Sequence, residues 1–289
     1  MRSWKAALHE SFERLERYEG KLSRTVLRGG CPGNRVFLPD VETHIWIGKT
    51  AKLLAHSSET APAQGAIMKT MKAVLFDLDG TLLDRDNSLR QFIAAQYQRF
   101  NIYLHHIPEN TFLAKFIELD CRGHVWKDKV YQQLINEYSM SGISWHELLE
   151  DYETHFMQYC VPFANLFSML TTLKERDYAL GIITNGRGPF QSRAIQGLGI
   201  AHYFDTILVS ETEGLRKPDI QIFLRALDKL GVGASESVFV GDHPQTDIAG
   251  AKSAGLKTIW KKDMLWSLAC EADAMIEDLD EIPAIVRGF

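Results

Sequence analysis

From residue 71 onward, short apolar segments typical of β-strands alternate with segments whose apolar residues recur at helical spacing. The strand candidates are Ala73–Phe76, Leu180–Ile183, Thr206–Val209, Val238–Val240, Leu256–Ile259 and the short Ala274–Ile276. Helices are predicted at Phe167–Glu175, Gln191–Leu198, Ile220–Leu230 and Asp247–Ala254. This alternation predicts an α/β fold with a parallel sheet covered by helices on both faces.

One interval breaks the alternation. Residues 87–161 contain helix-period segments and no convincing strand, whereas a crossover helix needs only a dozen or so residues. We therefore expect an inserted helical domain at 87–161. The sheet domain would then consist of residues 71–86 and 162–289.

Residues 1–70 are predicted to be an N-terminal extension. Apolar residues recur at helical spacing from Trp4 to Leu22, and a Ser/Thr/Ala/Pro/Gly-rich stretch resembling a linker runs from Ser57 to Gly65. Two interpretations stay open: a genuine accessory helix, or a segment upstream of a natural start near Met68 or Met71.

Composition excludes several classes of protein. The 289 residues are 45% hydrophobic and 24% charged, with a net charge of −5, so nothing favours nucleic acid or an anionic membrane as partner. The scattered cysteines form no CxxC pair, which indicates reduced thiols. No apolar run approaches the roughly 18 residues of a membrane span. We expect a cytoplasmic protein without a membrane partner, either a monomer or a homodimer.

The first strand delivers two carboxylates, Asp77 and Asp79, at the point where Gly80 turns the chain. Two carboxylates about 4 Å apart at an effective dielectric constant near 20 repel by roughly 4 kcal/mol. A bound cation or a retained proton is needed to offset that repulsion.

Polar residues follow three later strands as well. Thr184 and Asn185 follow the second, Lys217 comes shortly after the third, and Asp242 and Asp247 follow the fourth. Each has an ordinary explanation as a turn, helix start or cap. Because the carboxyl ends of parallel strands meet at one sheet edge, their occurrence in order predicts a functional site there.

These segments resemble the four motifs of the haloacid dehalogenase superfamily of phosphohydrolases. The matching segments are DLDGT at 77–81, IITNG at 182–186, RKPD at 216–219 and GDHPQTD at 241–247. The resemblance covers essentially all of residues 71–289. It implies a Rossmann-like three-layer sheet domain with an α-helical cap inserted after the first motif, as in phosphoglycolate phosphatase-like and β-phosphoglucomutase-like enzymes.

The resemblance also implies roles for the motif residues. Asp77 would be the nucleophile and Asp79 the acid and base. Thr184 and Asn185 would hold the phosphoryl oxygens, and Lys217 would neutralise charge.

A metal site is implied in the same way. Asp242, supported by Asp247, would position Mg²⁺, and Asp77 and Asp79 complete the predicted metal-site residues. Mg²⁺ prefers oxygen ligands, and sharing it would relieve the repulsion at Asp77. His243 departs from the family pattern, which more often has a small hydroxyl residue there, and its role is open.

The sequence therefore predicts a Mg²⁺-dependent phosphatase acting on a small phosphorylated metabolite. A phosphomutase of the same superfamily and a non-catalytic binding or regulatory protein are the alternatives. Dehalogenation is disfavoured because it needs no acid to protonate a leaving alkoxide, whereas Asp79 supplies one. Missing motif acids would favour the binding protein, and none is missing.

Substrate specificity is expected to lie in the insert. Its basic residues cluster in one segment, at Arg122, His124, Lys127 and Lys129. This segment is equally consistent with cationic groups that face the substrate and with a solvated helix face whose Val125, Val130 and Leu134 point inward.

Overall fold

The computed structural model describes residues 70–263, 266 and 271–289. Its sheet has the expected α/β architecture, with every predicted strand present within two residues of the expected bounds. The strands are β1 (Ala73–Phe76), β2 (Ala179–Thr184), β3 (Thr206–Val209), β4 (Ser237–Gly241), β5 (Lys257–Lys261) and β6 (Ala274–Ile276). All adjacent pairs are parallel, in the order β3-β2-β1-β4-β5-β6.

Strand β1 lies at the centre of the sheet and is buried on both faces. Val74 and Phe76 pack into one apolar cluster, and Ala73 and Leu75 into a second. Because alternate side chains of a strand point to opposite faces, these two clusters are the layers that the flanking helices cover. The absence of exposed area on β1 explains its uninterrupted apolar sequence.

A run of helices without a strand connects β1 to β2, where the sequence predicted an insert. These helices are α1 (Arg85–Arg99), α2 (Asn101–Leu104), α3 (Glu109–Asp120), α4 (Lys127–Glu137) and α5 (Trp145–His155), followed by a 3₁₀ turn at Phe156–Tyr159. We call them the insert helices.

The two ends of the insert are joined by a short antiparallel contact. Leu83 forms a β-bridge with Pro162. The backbone N–H of Asp84 donates to the carbonyl of Val161 at 2.9 Å, and Phe163 donates to Leu82 at 3.1 Å. The chain thus leaves the sheet domain and returns to it at one point.

The helices of the sheet domain largely follow the predicted bounds. They are α6 (Leu166–Glu175), α7 (Gly188–Leu198), α8 (Ser210–Glu213), α9 (Ile220–Leu230), α10 (Gly250–Ser253) and α11 (Ile282–Gly288). The helix expected at Asp247–Ala254 begins earlier, as a π-helical segment at Pro244–Ala249. Helix α7 also begins earlier, with Pro189 in its first turn, a position that proline favours.

Some predictions concern residues outside the described part. The expected extension, with its Trp4–Leu22 stripe and its linker, lies outside it except for Thr70. Cys121 and Cys160 are free thiols, and the other two cysteines are not among the described residues. None of the described helices has the length and apolarity needed to cross a membrane.

Candidate active site

The register of the sheet brings the first and fourth motifs side by side. Phe76 is paired with Val240, and the N–H of Asp77 donates to the Val240 carbonyl at 2.9 Å. Asp77 therefore emerges beside Gly241, one residue before Asp242. The carboxyl end of β2, which carries Thr184, lies on the other side of β1.

Lys217 joins two of the buried carboxylates. Its Nζ lies 2.6 Å from Asp77 Oδ1 and 2.7 Å from Asp247 Oδ1, and the residue is 2% exposed. Burial lowers the pKa of Lys217, but Asp247 and Asp77 outweigh this and raise it above its ordinary value. Lys217 is therefore a buried ammonium ion.

Three buried carboxylates meet at this edge of the sheet. Asp77, Asp242 and Asp247 each offer an oxygen within 4.8 Å of the others. Burial, more than any neighbouring charge, raises the pKa of Asp77 to about 7 and that of Asp242 well above its ordinary value. Three negative charges against Lys217 leave a net −2 when all ionise, which matches a divalent cation with oxygen ligands.

Two glycines allow this close approach. A Cβ on Gly80 would lie 2.6 Å from Asp242 Oδ2, and one on Gly241 would lie 2.5 Å from Asp247 Cβ. Gly80 also has a φ of +88°. A glycine is therefore needed at position 80, both for the turn and for the space that the Asp242 carboxylate fills.

Asp79 is not among the three clustered carboxylates, and its role as a metal ligand stays a prediction. Its Oδ2 accepts a hydrogen bond from Gln191 Nε2 at 2.7 Å, and the same nitrogen donates to Thr184 Oγ1 at 2.8 Å. Gln191 is 2% exposed. This amide therefore fixes the position of Asp79 relative to Thr184.

Asn185 holds the loop that carries Lys217. Its Nδ2 donates to the Lys217 carbonyl and its Oδ1 accepts from the Lys217 N–H, both at 3.0 Å. With both polar atoms of its side chain engaged in this way, Asn185 positions Lys217.

His243, whose role the sequence left open, caps the π-helical segment. Its Nδ1 accepts from the backbone N–H groups of Gln245 and Thr246 at 3.2 and 3.3 Å. Burial lowers the pKa of His243, which favours the neutral ring that this contact requires. The imidazole thus acts as the hydrogen-bond acceptor that a small hydroxyl side chain provides at other N-caps.

Asp77, Asp242 and Asp247 line a cleft of about 620 Å³. Other residues of the sheet domain and residues of the insert helices also line it. Of the basic residues of the insert, some face the cleft and others face solvent, so each of the two predicted interpretations holds for part of the segment. Lys127 is 1% exposed and lines the cleft, whereas the Lys129 side chain is 67% exposed. Arg122 lines the cleft and forms an ion pair with Asp263.

Comparison with known proteins agrees with this architecture. The family model of haloacid dehalogenase-like hydrolases matches residues 74–261, more than half of the chain. The chain belongs to this family.

Two named relatives of this haloacid dehalogenase-like hydrolase are phosphatases. A glyceraldehyde 3-phosphate phosphatase of Pyrococcus abyssi is 32% identical over 200 residues, covering 66% of this chain and 82% of the relative. A phosphoserine phosphatase of Thermus thermophilus is 32% identical over 160 residues, covering 54% and 64%. The crystal structure of a phosphatase of this superfamily from Thermococcus onnurineus is 28% identical, with a TM-score of 0.55, covering 75% of this chain and 99% of that structure.

In this hydrolase, the structure brings Asp77, Lys217, Asp242 and Asp247 into direct contact or close proximity, with Asp79, Thr184 and Asn185 around them. Sequence reasoning missed Gln191. A signal was available, because Gln191 lies on the same helical stripe as Ala194, Ile195 and Leu198, all of them buried. A polar side chain on a buried stripe needs a hydrogen-bond partner.

Proposed function

We propose that this hydrolase is a Mg²⁺-dependent phosphatase that cleaves a small phosphorylated metabolite through an aspartyl phosphate on Asp77. The observation that carries the proposal is the buried group of Asp77, Asp242 and Asp247, in which Lys217 forms ion pairs with Asp77 and Asp247. The names of the two relatives, each a phosphatase of a small phosphorylated compound, support it.

In the first step, a carboxylate oxygen of Asp77 attacks phosphorus and the bond from phosphorus to the leaving oxygen breaks. Asp79, held by Gln191, donates a proton to that oxygen. Lys217, already 2.6 Å from Asp77, offsets negative charge on the transferring group. Charge stabilisation of this kind supplies most of the catalysis in phosphoryl transfer.

In the second step, a water molecule attacks the aspartyl phosphate. Asp79, now deprotonated, takes a proton from that water, and inorganic phosphate leaves with restoration of the Asp77 carboxylate. Using one residue first as acid and then as base returns the enzyme to its starting protonation state. The buried Thr184 hydroxyl and the backbone beside Asn185 are proposed to hold phosphoryl oxygens throughout.

Asp77 and Asp242 would hold Mg²⁺, with Asp247 in support. When bound, the ion supplies positive charge to the phosphoryl oxygens and offsets the repulsion among these carboxylates. The fit is electrostatic as well as chemical. Lys217 is already counted in the net −2, and no other cation among the described residues contacts these carboxylates.

The test is release of inorganic phosphate from a panel of phosphate esters, with and without Mg²⁺, by the wild-type chain and Asp77→Asn. We expect Asp77→Asn to fold normally and to lose turnover, because the substitution preserves size and removes the nucleophile. Asp228→Asn, which changes an exposed aspartate on α9, is the matched control. More than trace activity in a folded Asp77→Asn protein would refute the nucleophile assignment, and isomerisation without phosphate release would indicate a mutase.

A further inference from the structure

A second charged group lies in the wall of the cleft, within the insert. Asp120, 1% exposed, accepts hydrogen bonds from Arg85 Nη2 on both carboxylate oxygens, at 3.0 and 2.9 Å. Lys127 Nζ donates to Oδ1 and the Gly123 N–H donates to Oδ2 at 3.0 Å. A carboxylate has about four acceptor positions. Those of Asp120 are therefore all in use.

In contrast to the acceptor positions of Asp120, some donor atoms in this wall of the cleft have no hydrogen-bond partner among the described residues. Arg85 Nη1 and Trp126 Nε1 are shielded from solvent and have no hydrogen-bond partner among the described residues. Lys127 Nζ has three protons, and besides Asp120 it faces the rings of Trp126 and Tyr152 at 5.7 and 5.3 Å. A buried donor without an acceptor is destabilising. This wall of the cleft therefore lacks an acceptor.

The charges at this wall do not balance either. Within the hydrogen-bonded group, Arg85 and Lys127 carry two positive charges and Asp120 one negative charge, a net of +1. Asp79 is not part of this group, because its hydrogen bond is with Gln191. Burial lowers the pKa of Lys127, and the Asp120 carboxylate beside it opposes that effect. Burial opposes ionisation of Asp120, but Arg85 and Lys127 outweigh it and hold its pKa below the ordinary value, so the carboxylate is ionised. The nearby Arg122 does not change the count, because Asp263 pairs with it.

The position of this group relative to Asp79 gives it a place in the reaction. Asp79 interacts electrostatically with both Arg85 and Lys127, and all three line the same cleft. In the proposed mechanism Asp79 protonates the leaving oxygen. A leaving group that extends from Asp79 toward these two cations would lie beside Arg85, Trp126 and Lys127.

We propose that Arg85, Trp126 and Lys127 bind a carboxylate on the leaving group, so that the substrate is the phosphate monoester of a hydroxycarboxylic acid. A carboxylate matches the net charge of +1, whereas a second phosphate would bring up to two negative charges. It also presents the planar pair of acceptors that a guanidinium recognises. This assignment rests on the proposed phosphatase function.

The first test compares the wild-type chain on esters that differ in one group. Glycerate 3-phosphate and glycerol 3-phosphate share a carbon skeleton and differ in the carboxylate, and glycerol 1,3-bisphosphate replaces the carboxylate end with a second phosphate. We expect kcat/KM with Mg²⁺ to be about 10- to 100-fold higher for glycerate 3-phosphate than for glycerol 3-phosphate, as for charge-assisted hydrogen bonds. Equal values for that pair, or a bisphosphate hydrolysed as well as the carboxylate ester, would overturn the proposal and leave the phosphatase function intact. No hydrolysis of any phosphate ester would overturn both.

The second test removes one charge. Lys127→Met keeps an unbranched apolar side chain and leaves Asp120 paired with Arg85, and Lys129→Met changes an exposed lysine on the same helix. We expect Lys127→Met to reduce the ratio of the two kcat/KM values to near one, whereas Lys129→Met keeps it. Circular dichroism and the thermal midpoint report folding of both variants. A folded Lys127→Met protein with the wild-type ratio would refute the assignment. If Lys127→Met does not fold, the same ratio is measured for Arg85→Lys, which retains the charge but loses the planar pair of donors, and an unchanged ratio in that variant would refute the assignment.

Discussion

Gly80→Ala is expected to disrupt the proposed metal site from a position that has no side chain to bind metal or substrate. The added Cβ would lie 2.6 Å from Asp242 Oδ2, and an ordinary contact begins near 3.4 Å, so the carboxylate must move by about 0.8 Å (3.4 minus 2.6). A misplacement of about 1 Å can cost roughly 100-fold in rate. The backbone adds its own cost, because a φ of +88° is unfavourable by about 1–2 kcal/mol for a residue with a Cβ.

Gly214→Ala separates these two effects. Gly214 has a φ of +65°, and a Cβ there would meet nothing within 4 Å. In urea unfolding without Mg²⁺, we expect both variants to lose about 1–2 kcal/mol of the free energy of unfolding. In calorimetric titration with Mg²⁺ and in phosphate release, only Gly80→Ala should lose about 10- to 100-fold. If the two variants bind Mg²⁺ with the same affinity, the steric argument is wrong.

Three further predictions follow from contacts of single residues. Gln191→Leu leaves Asp79 and Thr184 without their shared donor, so we expect kcat to fall roughly 10- to 100-fold with a smaller change in KM; an unchanged kcat would contradict this. Asp242→Ala should weaken Mg²⁺ binding in calorimetry more than Asp247→Ala, for which about 10- to 100-fold is typical of a supporting residue; the reverse order would exchange their roles. Arg85 and Lys127 hold the pKa of Asp120 below its ordinary 3.8 despite burial, so the stabilisation is present above that pH and is lost as pH falls through the folded-state pKa. The difference in urea midpoint between wild type and Asp120→Asn should therefore shrink below about pH 4, and a constant difference from pH 3 to 7 would refute it.

The sheet could be predicted from the sequence because each strand is a short apolar run of β-type residues. Helix α9 was predicted to the residue, since Asp219 caps its start and Gly231 ends it. The insert was predicted from the length of an interval without a convincing strand, and this interval is helical in the structure. The site residues could be placed because parallel strands bring their carboxyl ends together, which needs no knowledge of side-chain packing.

The partners of buried polar residues could not be predicted in this way. Asp120 lies on the apolar stripe of Phe112 and Phe116, and its partner Arg85 is 35 residues away in the chain. Lys127 likewise shares its buried face with Val130. The stripe indicates that such a residue needs a partner. Which one it finds depends on how the insert helices pack, and periodicity carries no information about that.

The joined ends of the insert affect how the chain tolerates change. Backbone hydrogen bonds join Leu82 to Phe163 and Asp84 to Val161. The two ends of the long helical segment therefore lie next to each other at the sheet domain, as the ends of a tight turn do. Bringing these two ends together costs conformational entropy, and this cost rises only slowly as the segment between them becomes longer. The insert helices can therefore lengthen, shorten or be exchanged for others without altering the register that holds Asp77 beside Gly241. If these helices bind the leaving group as proposed, the choice of substrate can change while the residues of the sheet domain that carry the chemistry stay in place.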